Sequence, residues 1–193
     1  MFFGRNYAPG GYAWLFPRDQ HVANVGLVIG KRFAREAPAR KAMADFLRLT
    51  YPGAVVETMQ GGAIPCGYTH QPLAVNNLFK AGDAANMVNP VSRAGILEAM
   101  KGGQLAAEAA LEVIQLGGAS AEPEKEPHYR RYKESWDAAY GDSNYRIHKA
   151  KTAFMDVSDR TFDRAAGSLA RIPAEKVTMG RIFLTTLWTT PSL

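Results

Sequence analysis

Phe79-Lys80-Ala81-Gly82-Asp83-Ala84-Ala85, then Asn89-Pro90, then Gly95-Ile96-Leu97-Glu98-Ala99-Met100 is the stretch from which the fold of this chain is read. An apolar run ends in Gly-Asp and two small residues. Pro90 stands seven residues beyond Asp83, and Gly95 opens a helical pattern twelve residues beyond it. A short strand expected over Leu78 to Ala81 thus delivers an aspartate to its carboxyl end, where open α/β sheets bind ligands. A carboxylate there can accept hydrogen bonds from ligand hydroxyls. The helix N-terminus adds unpaired backbone N–H groups and a partial positive charge. Gly95 has no side chain to obstruct that approach. The helix is expected from about Gly95 to Leu116, closed by Gly117-Gly118. Gly102 and Gly103 each cost it about 0.8–1 kcal/mol relative to alanine. Ala99, Ala106, Ala107, Ala109 and Ala110 keep its surface small, so it can lie tightly on a sheet or a ligand. Each feature alone fits an alanine-rich core helix and a turn-capping aspartate. Together, in this order, they describe a site for something polar and flat.

Upstream, Phe2 to Ile29 is aromatic and β-branched, punctuated by Pro9, Gly10, Gly11 and Pro17. Tyr12, Trp14 and Phe16 alternate with Ala13 and Leu15, and Val22 to Ile29 forms a second apolar run. Two strands joined by Pro17-Arg18-Asp19-Gln20 are expected. Ala39 to Leu49 reads as a helix with Ala42, Phe46 and Leu49 on one face. Lys31, Arg32, Arg35, Arg40, Lys41 and Arg48 decorate its approach and outer side, and a solvated helix face accounts for them. Val55-Val56 suggests a further strand and Gly61 to Gly67 a glycine-rich turn. Downstream of the linker-like stretch from Gly117 to Pro127, helices are expected over about Pro127–Tyr140, Ser143–Met155, Asp159–Ala170 and Pro173–Leu187. Asp159 and Pro173 serve as start signals.

Composition bounds the function. With 193 residues, 47% hydrophobic and 21% charged, the chain is long and apolar enough for one sizeable core with a helical appendage. The single cysteine, Cys66, excludes an internal disulfide framework and suits a reducing cytoplasm. No run reaches the roughly 18 apolar residues of a membrane span, and Met1 to Tyr12 shows no charged-then-apolar signal pattern. A cytoplasmic chain is expected. Its formal charge of +5 and the apolar run Ile182 to Trp188 suit a peripheral membrane contact, and a buried final helix explains that run equally well. His21, His70, His128 and His148 are scattered without metal-ligand spacing. There is no nucleophile elbow and no P-loop. The basic cluster is too short and mixed for nucleic-acid binding.

Gly82-Asp83-Ala84-Ala85, Asn89-Pro90, Gly95-Ile96 and Ala99-Met100 resemble the second FAD-binding signature of glutathione-reductase-like flavoproteins. Gly10-Gly11-Tyr12-Ala13-Trp14-Leu15-Phe16-Pro17 with Ala23-Asn24-Val25-Gly26-Leu27 is a narrower match. It resembles the Tyr-x-Trp-x-Phe-Pro segment of the geranylgeranyl reductases, including archaeal enzymes that saturate digeranylgeranylglycerol lipids. Gly62-Ala63-Ile64-Pro65 is similar to the turn before the Gly-Asp strand in that family. The resemblance is good from about Pro9 to Glu108; beyond Pro127 only helical character is shared.

The resemblance implies roles. Asp83 would bind the FAD ribityl chain and Gly95 and Ile96 would place backbone N–H groups near the pyrimidine edge of the isoalloxazine, with Gly82 and Pro90 also among the cofactor-binding residues. Tyr12, Trp14, Phe16 and Pro17 would line an apolar tunnel for an isoprenoid chain; read from the residues alone they are sheet core, and the resemblance sets the two readings level. The implied reaction is reduction of carbon–carbon double bonds in a geranylgeranyl chain of a prenyl lipid, with NAD(P)H or ferredoxin as electron source. An isolated trisubstituted alkene is weakly electrophilic, so a proton donor is needed. Cys66 qualifies by location only, a lone cysteine being more often a small buried hydrophobe.

Two departures stand out. The family often has glycine where this chain has Arg93. A Gly-x-Gly-x-x-Gly turn between a strand and a helix, which cradles FAD pyrophosphate, is not found among Gly4, Gly10, Gly11, Gly26 and Gly30. An N-terminal FAD-binding segment is therefore expected as a partner. The expected fold class is α+β. Residues 1–75 form a partial antiparallel substrate-domain sheet with one helix, 76–118 the C-terminal strand and long helix of a glutathione-reductase-like FAD domain, and 119–193 a helical section. The alternatives are a related flavin monooxygenase or halogenase fragment, or a non-catalytic lipid- or protein-binding remnant.

Overall fold

Alternation decides the first hairpin. Along Tyr12–Pro17 (β1) Ala13 is fully buried, while Tyr12, Trp14 and Phe16 point to the opposite face. β1 pairs antiparallel with Ala23–Val28 (β2), in the register Tyr12↔Val28, Trp14↔Gly26 and Phe16↔Asn24. The connecting turn closes because the Asp19 carboxylate accepts from the backbone N–H groups of His21 and Val22, both at 2.7 Å. Phe2 extends the ribbon through a two-way backbone pair with Ala13. Gly10 has φ +66°, and a Cβ there would stand 2.8 Å from the Phe33 ring, so glycine is required twice over.

In this computed structural model the described residues are 1–68, 72–75, 78–117, 127–173 and 176, with only the backbone described over 152–156. They fall into two compact units, Met1–Met59 with Ala153–Leu193, and Gln60–Thr152. Helix α1 (Ala39–Thr50) buries Phe46 against Phe2, Tyr7 and Tyr51, with ring centroids 5.1, 5.9 and 6.3 Å away. That aromatic cluster takes the inner sector, which leaves Leu49 outside it at 63% exposed, unlike the face expected from spacing. The basic residues lie on the solvated side. Lys41 and Arg48 both pair with Asp45, whose carboxyl is held below the usual range chiefly by its hydrogen bond from Lys41. Val55-Val56 carries no ladder hydrogen bonds among the described residues. β-propensity without a partner makes no strand.

The second unit is built around a small hairpin and helices. β3 (Ala74–Val75) pairs antiparallel with β4 (Leu78–Phe79). The chain then runs through a 3₁₀ turn at Gly82–Ala85 into α2 (Ile96–Gln115), which begins and ends within one residue of expectation. α3 (Pro127–Trp136) continues through a π-helical turn at Asp137–Gly141 into α4 (Asp142–Asp156); the end of α4 from Ala153, and α5 (Asp159–Leu169), belong to the first unit. The core is Leu73, Ala85, Met87, Leu105, Ala109, Tyr132 and Trp136, all at most 8% exposed. α5 starts at Asp159 as expected, and Ser158 is its cap, the hydroxyl accepting from the Thr161 N–H. The expected helix over Pro173–Leu187 and the run Ile182 to Trp188 lie outside the described residues apart from Pro173 and Lys176. These elements make an α+β fold, helices with two small antiparallel ribbons.

Candidate functional sites

In the second unit the site is assembled from β4, the 3₁₀ turn and the start of α2. Strand β4 is fixed at its end by Tyr132. The Tyr132 hydroxyl donates to the Lys80 carbonyl at 2.7 Å, with the Gly102 carbonyl of α2 at 3.3 Å. Burial pushes that phenol up to about 12. One α3 side chain thus ties the strand preceding Gly82 to the helix that follows it. Gly82 has φ +59°, and a Cβ there would stand 3.3 Å from that of Ala99. The turn therefore lies against the first turns of α2, and only glycine fits without strain. The turn closes through Asn86 N–H to the Asp83 carbonyl (3.1 Å) and Met87 N–H to the Gly82 carbonyl (3.0 Å). Asp83 itself is exposed.

The loop between turn and helix is held by Asn89. Its side-chain carbonyl accepts from Val91 and Ser92 N–H at 3.1 and 2.9 Å, while its backbone pairs with Ala94 and Arg93. Pro90 is fully buried and shapes this loop from within. Gly95 precedes α2 without any side-chain cap, and Ile96 is 79% exposed. The α2 N-terminus thus keeps backbone N–H groups that no side chain caps. The reason for glycine at 95 differs from the sequence expectation: a Cβ would stand 3.2 Å from a Val88 methyl, so internal packing excludes it. Arg93, where the resembled family often has glycine, sits at φ +59°, a conformation that costs a non-glycine residue roughly 1–2 kcal/mol. Exposed Asp83 beside an uncapped helix start is chemically suited to hydroxyls and negative charge, so the residues fit FAD. Cys66 is half-buried in the same unit, its carbonyl accepting from the Lys151 ammonium at 2.7 Å.

In the first unit Tyr12, Trp14 and Phe16 share the outer face of the β1–β2 ribbon, and Pro17 ends the strand. Tyr12 and Trp14 ring centroids are 5.7 Å apart, and Trp14 and Phe16 6.4 Å. The indole of Trp14 lies across Gly26, whose missing side chain makes the room. Phe16 is 55% exposed, and Pro17 is exposed at the strand end. Two residues that spacing alone did not single out extend the row. Phe3 lies 5.9 Å from Tyr12 and stacks at 6.2 Å on Phe162 of α5. For Phe3 the signal was present, since Phe2 and Phe3 must point to opposite faces once Phe2 pairs with Ala13. For Phe162 it was not.

Comparison with known proteins places these features. A geranylgeranyl reductase catalytic domain model matches residues 1–63. The digeranylgeranylglycerophospholipid reductase of Methanosarcina acetivorans is 32% identical over 182 residues, covering 92% of this chain and 43% of that protein. The reductase of the same name from Methanoculleus marisnigri is 34% identical over 177 residues, covering 89% of this chain and 42% of that protein. The crystal structure of a geranylgeranyl bacteriochlorophyll reductase-like protein from Thermoplasma acidophilum shares the fold, with a TM-score of 0.75 at 21% identity over 98% of this chain and 47% of that one. The chain spans less than half the length of these relatives. Among the described residues no helix is long and apolar enough to cross a membrane. The aromatic ribbon, the Gly-Asp turn and the helix after it, with relatives aligned along nearly the whole chain, make it a member of the geranylgeranyl reductase family, corresponding to the C-terminal part of its longer relatives.

Proposed function

We propose that this chain is the C-terminal portion of an FAD-dependent oxidoreductase that reduces carbon–carbon double bonds in the geranylgeranyl chains of lipids. The observation that carries the reading is the packing of Gly82 on Ala99, which sets exposed Asp83 beside the uncapped start of α2. FAD, when bound, supplies the two-electron chemistry. Asp83 would hold ribityl hydroxyls by accepting their hydrogen bonds. The N–H groups at Gly95 and Ile96 would face negative charge at the pyrimidine edge, which a helix N-terminus favours. Pro90 acts by shaping the loop that presents them. Tyr12, Trp14, Phe16 and Pro17 would orient the isoprenoid chain along an apolar row, each ring offering area at little entropic cost. The division into substrate portion (1–75), FAD portion (76–118) and helical section (119–193) belongs to this proposal, as does the pairing with an N-terminal FAD-binding segment.

The test is Asp83→Ala in the full polypeptide of a family member carrying this sequence. Bound flavin, read from its visible absorbance after purification, is expected to fall at least about tenfold, a loss of roughly 1.4 kcal/mol or more in binding. Reduction of a geranylgeranyl lipid, followed by mass spectrometry, is expected to fall with it. Full retention of both would sink the assignment of Asp83.

A further inference from the structure

Between α3 and α4 the helical winding widens at the π-helical turn Asp137–Gly141. Wide turns of this kind gather at functional sites, and they open the ladder of backbone hydrogen bonds, where a water can insert. The side chains on either side of this one leave polar atoms unmet. Trp136, 1% exposed, ends α3 with its indole Nε1 buried and without a hydrogen-bond partner among the described residues. Asn144, 5% exposed, stands in the first turn of α4 with its amide Nδ2 in the same condition. Buried polar groups are bonded in the great majority of cases, and each orphaned donor weakens a fold. Two of them flanking one turn call for a shared acceptor.

Gly141 shows where that acceptor sits. A Cβ on Gly141 would stand 3.1 Å from Trp136 Nε1 and would overlap Asp137 Oδ1. The space over the Gly141 Cα therefore lies within hydrogen-bond reach of an indole donor and of a carboxylate acceptor. Asn144 stands three residues further along the same helix face, about 5–6 Å away at Cβ, a gap that an asparagine side chain spans. The other Asp137 oxygen takes the Lys133 ammonium, which holds the carboxylate in place. Two N–H donors exclude a cation from this space, and the carboxylate excludes an anion. Water accepts hydrogen bonds and donates them, so it meets both kinds of partner, and three polar partners are the usual complement of a buried water.

We infer that the π-helical turn holds a buried water molecule, bound by Trp136 Nε1–H, Asn144 Nδ2–H and Asp137 Oδ1 over the bare Cα of Gly141. Its role follows from what the indole touches. Trp136 packs in one cluster with Ala85, the last residue of the Gly-Asp turn, and Met87, whose N–H closes that turn on the Gly82 carbonyl. Fixing the indole through its N–H fixes the surface on which the turn rests. Glycine at 141 then has a reason beyond the overlap with Asp137, because any side chain would take the place of the water. The inference stands on the packing of the second unit alone and does not depend on the cofactor reading.

The experiment is a water-selective NMR measurement on the whole 193-residue chain, labelled with nitrogen-15. Its three indole N–H signals come from Trp14, Trp136 and Trp188, and Trp136→Phe identifies the one in question. The Trp136 indole proton is expected to show a cross-relaxation peak at the water frequency, with the sign of a long-lived molecule. Asn144→Leu, which keeps the size of the side chain, is expected to remove the peak and to lower Tm by about 2–4 °C. Gly141→Ala is expected to remove the peak by filling the space. No peak in the unaltered chain overturns the inference, as does a peak that survives Asn144→Leu. A rise in Tm for Asn144→Leu also overturns it, because that result would mean that the amide donor is orphaned and not bonded.

Discussion

Trp136 and Trp14 occupy two regions of the molecule that use aromatic residues in opposite ways. In the second unit Trp136 is 1% exposed, enclosed by Met87, Leu105 and Tyr132 in a core that this chain completes itself. In the first unit Trp14 lies flat on Gly26 in a row with Phe3, Tyr12 and Phe16, of which Phe3 is 48% and Phe16 55% exposed. Burying an aromatic side chain is worth more than any other single residue contributes to a core. A ribbon that leaves three or four of them half-covered has forgone that stability for something else. A two-stranded ribbon is marginal by itself, and in the function proposed above an isoprenoid chain would cover the row. The core region is explained by folding; for the ribbon region the proposed explanation is binding.

Substitution sharpens this contrast. The largest effect is expected for Trp136→Ala, at about 3–5 kcal/mol by denaturant unfolding, while Trp14→Ala is expected to cost about 1 kcal/mol, the scale of a cross-strand pair. Equal costs would erase the distinction. Next comes Gly26→Ala. A methyl there overlaps the Trp14 ring, so a loss of about 1–3 kcal/mol is expected, together with a changed near-UV circular dichroism signal as the indole is displaced. An unchanged signal would mean that the row tolerates reshaping.

Two smaller effects probe the second unit. The Tyr132 phenol sits at about 12 against an ordinary 10.0 because burial disfavours its ionised form. A proton held more tightly in the folded state contributes stability that is whole below pH 10 and is lost as pH rises from 10 towards 12. Tyr132→Phe is expected to cost about 1 kcal/mol at neutral pH for the lost hydrogen bonds and to flatten that alkaline decline, read as Tm against pH. The smallest is Arg93→Gly. Relief of the left-handed conformation is expected to stabilise the fold by about 1 kcal/mol, seen as a raised Tm. A lowered Tm would show that the arginine makes contacts worth more than its strain.

Much of this was legible in the sequence, for identifiable reasons. The β1–β2 ribbon follows from strict alternation and an Asx-type turn, both local. The limits of α2 follow from Gly95 and Gly117, again local. The expected strand at Val55-Val56 failed because a strand is defined by its partner, and propensity does not supply one. Leu49 pointed outward because helical spacing gives a sector and not which sector the neighbours fill. Gly95 was read for what it would admit, when the physical constraint was a methyl of Val88 behind it. Phe162 joined the aromatic row across more than 150 residues, and no periodicity carries that distance.

The π-helical turn at Asp137–Gly141 carries a consequence for how this family can be edited. Five residues there occupy a turn that ordinarily takes fewer, and Gly141 is held bare because a Cβ would overlap the Asp137 carboxylate. Removing one residue and restoring ordinary winding would leave everything after it at nearly the same angle about the helix axis, because the wide turn spends its extra residue on the same rotation. Tyr145 and His148, against Tyr68, and Lys151, bonded to Cys66, would keep their aim. The turn is thus where a single residue can be gained or lost without a change of aim, and length at 137–141 is as informative as identity when family members are aligned.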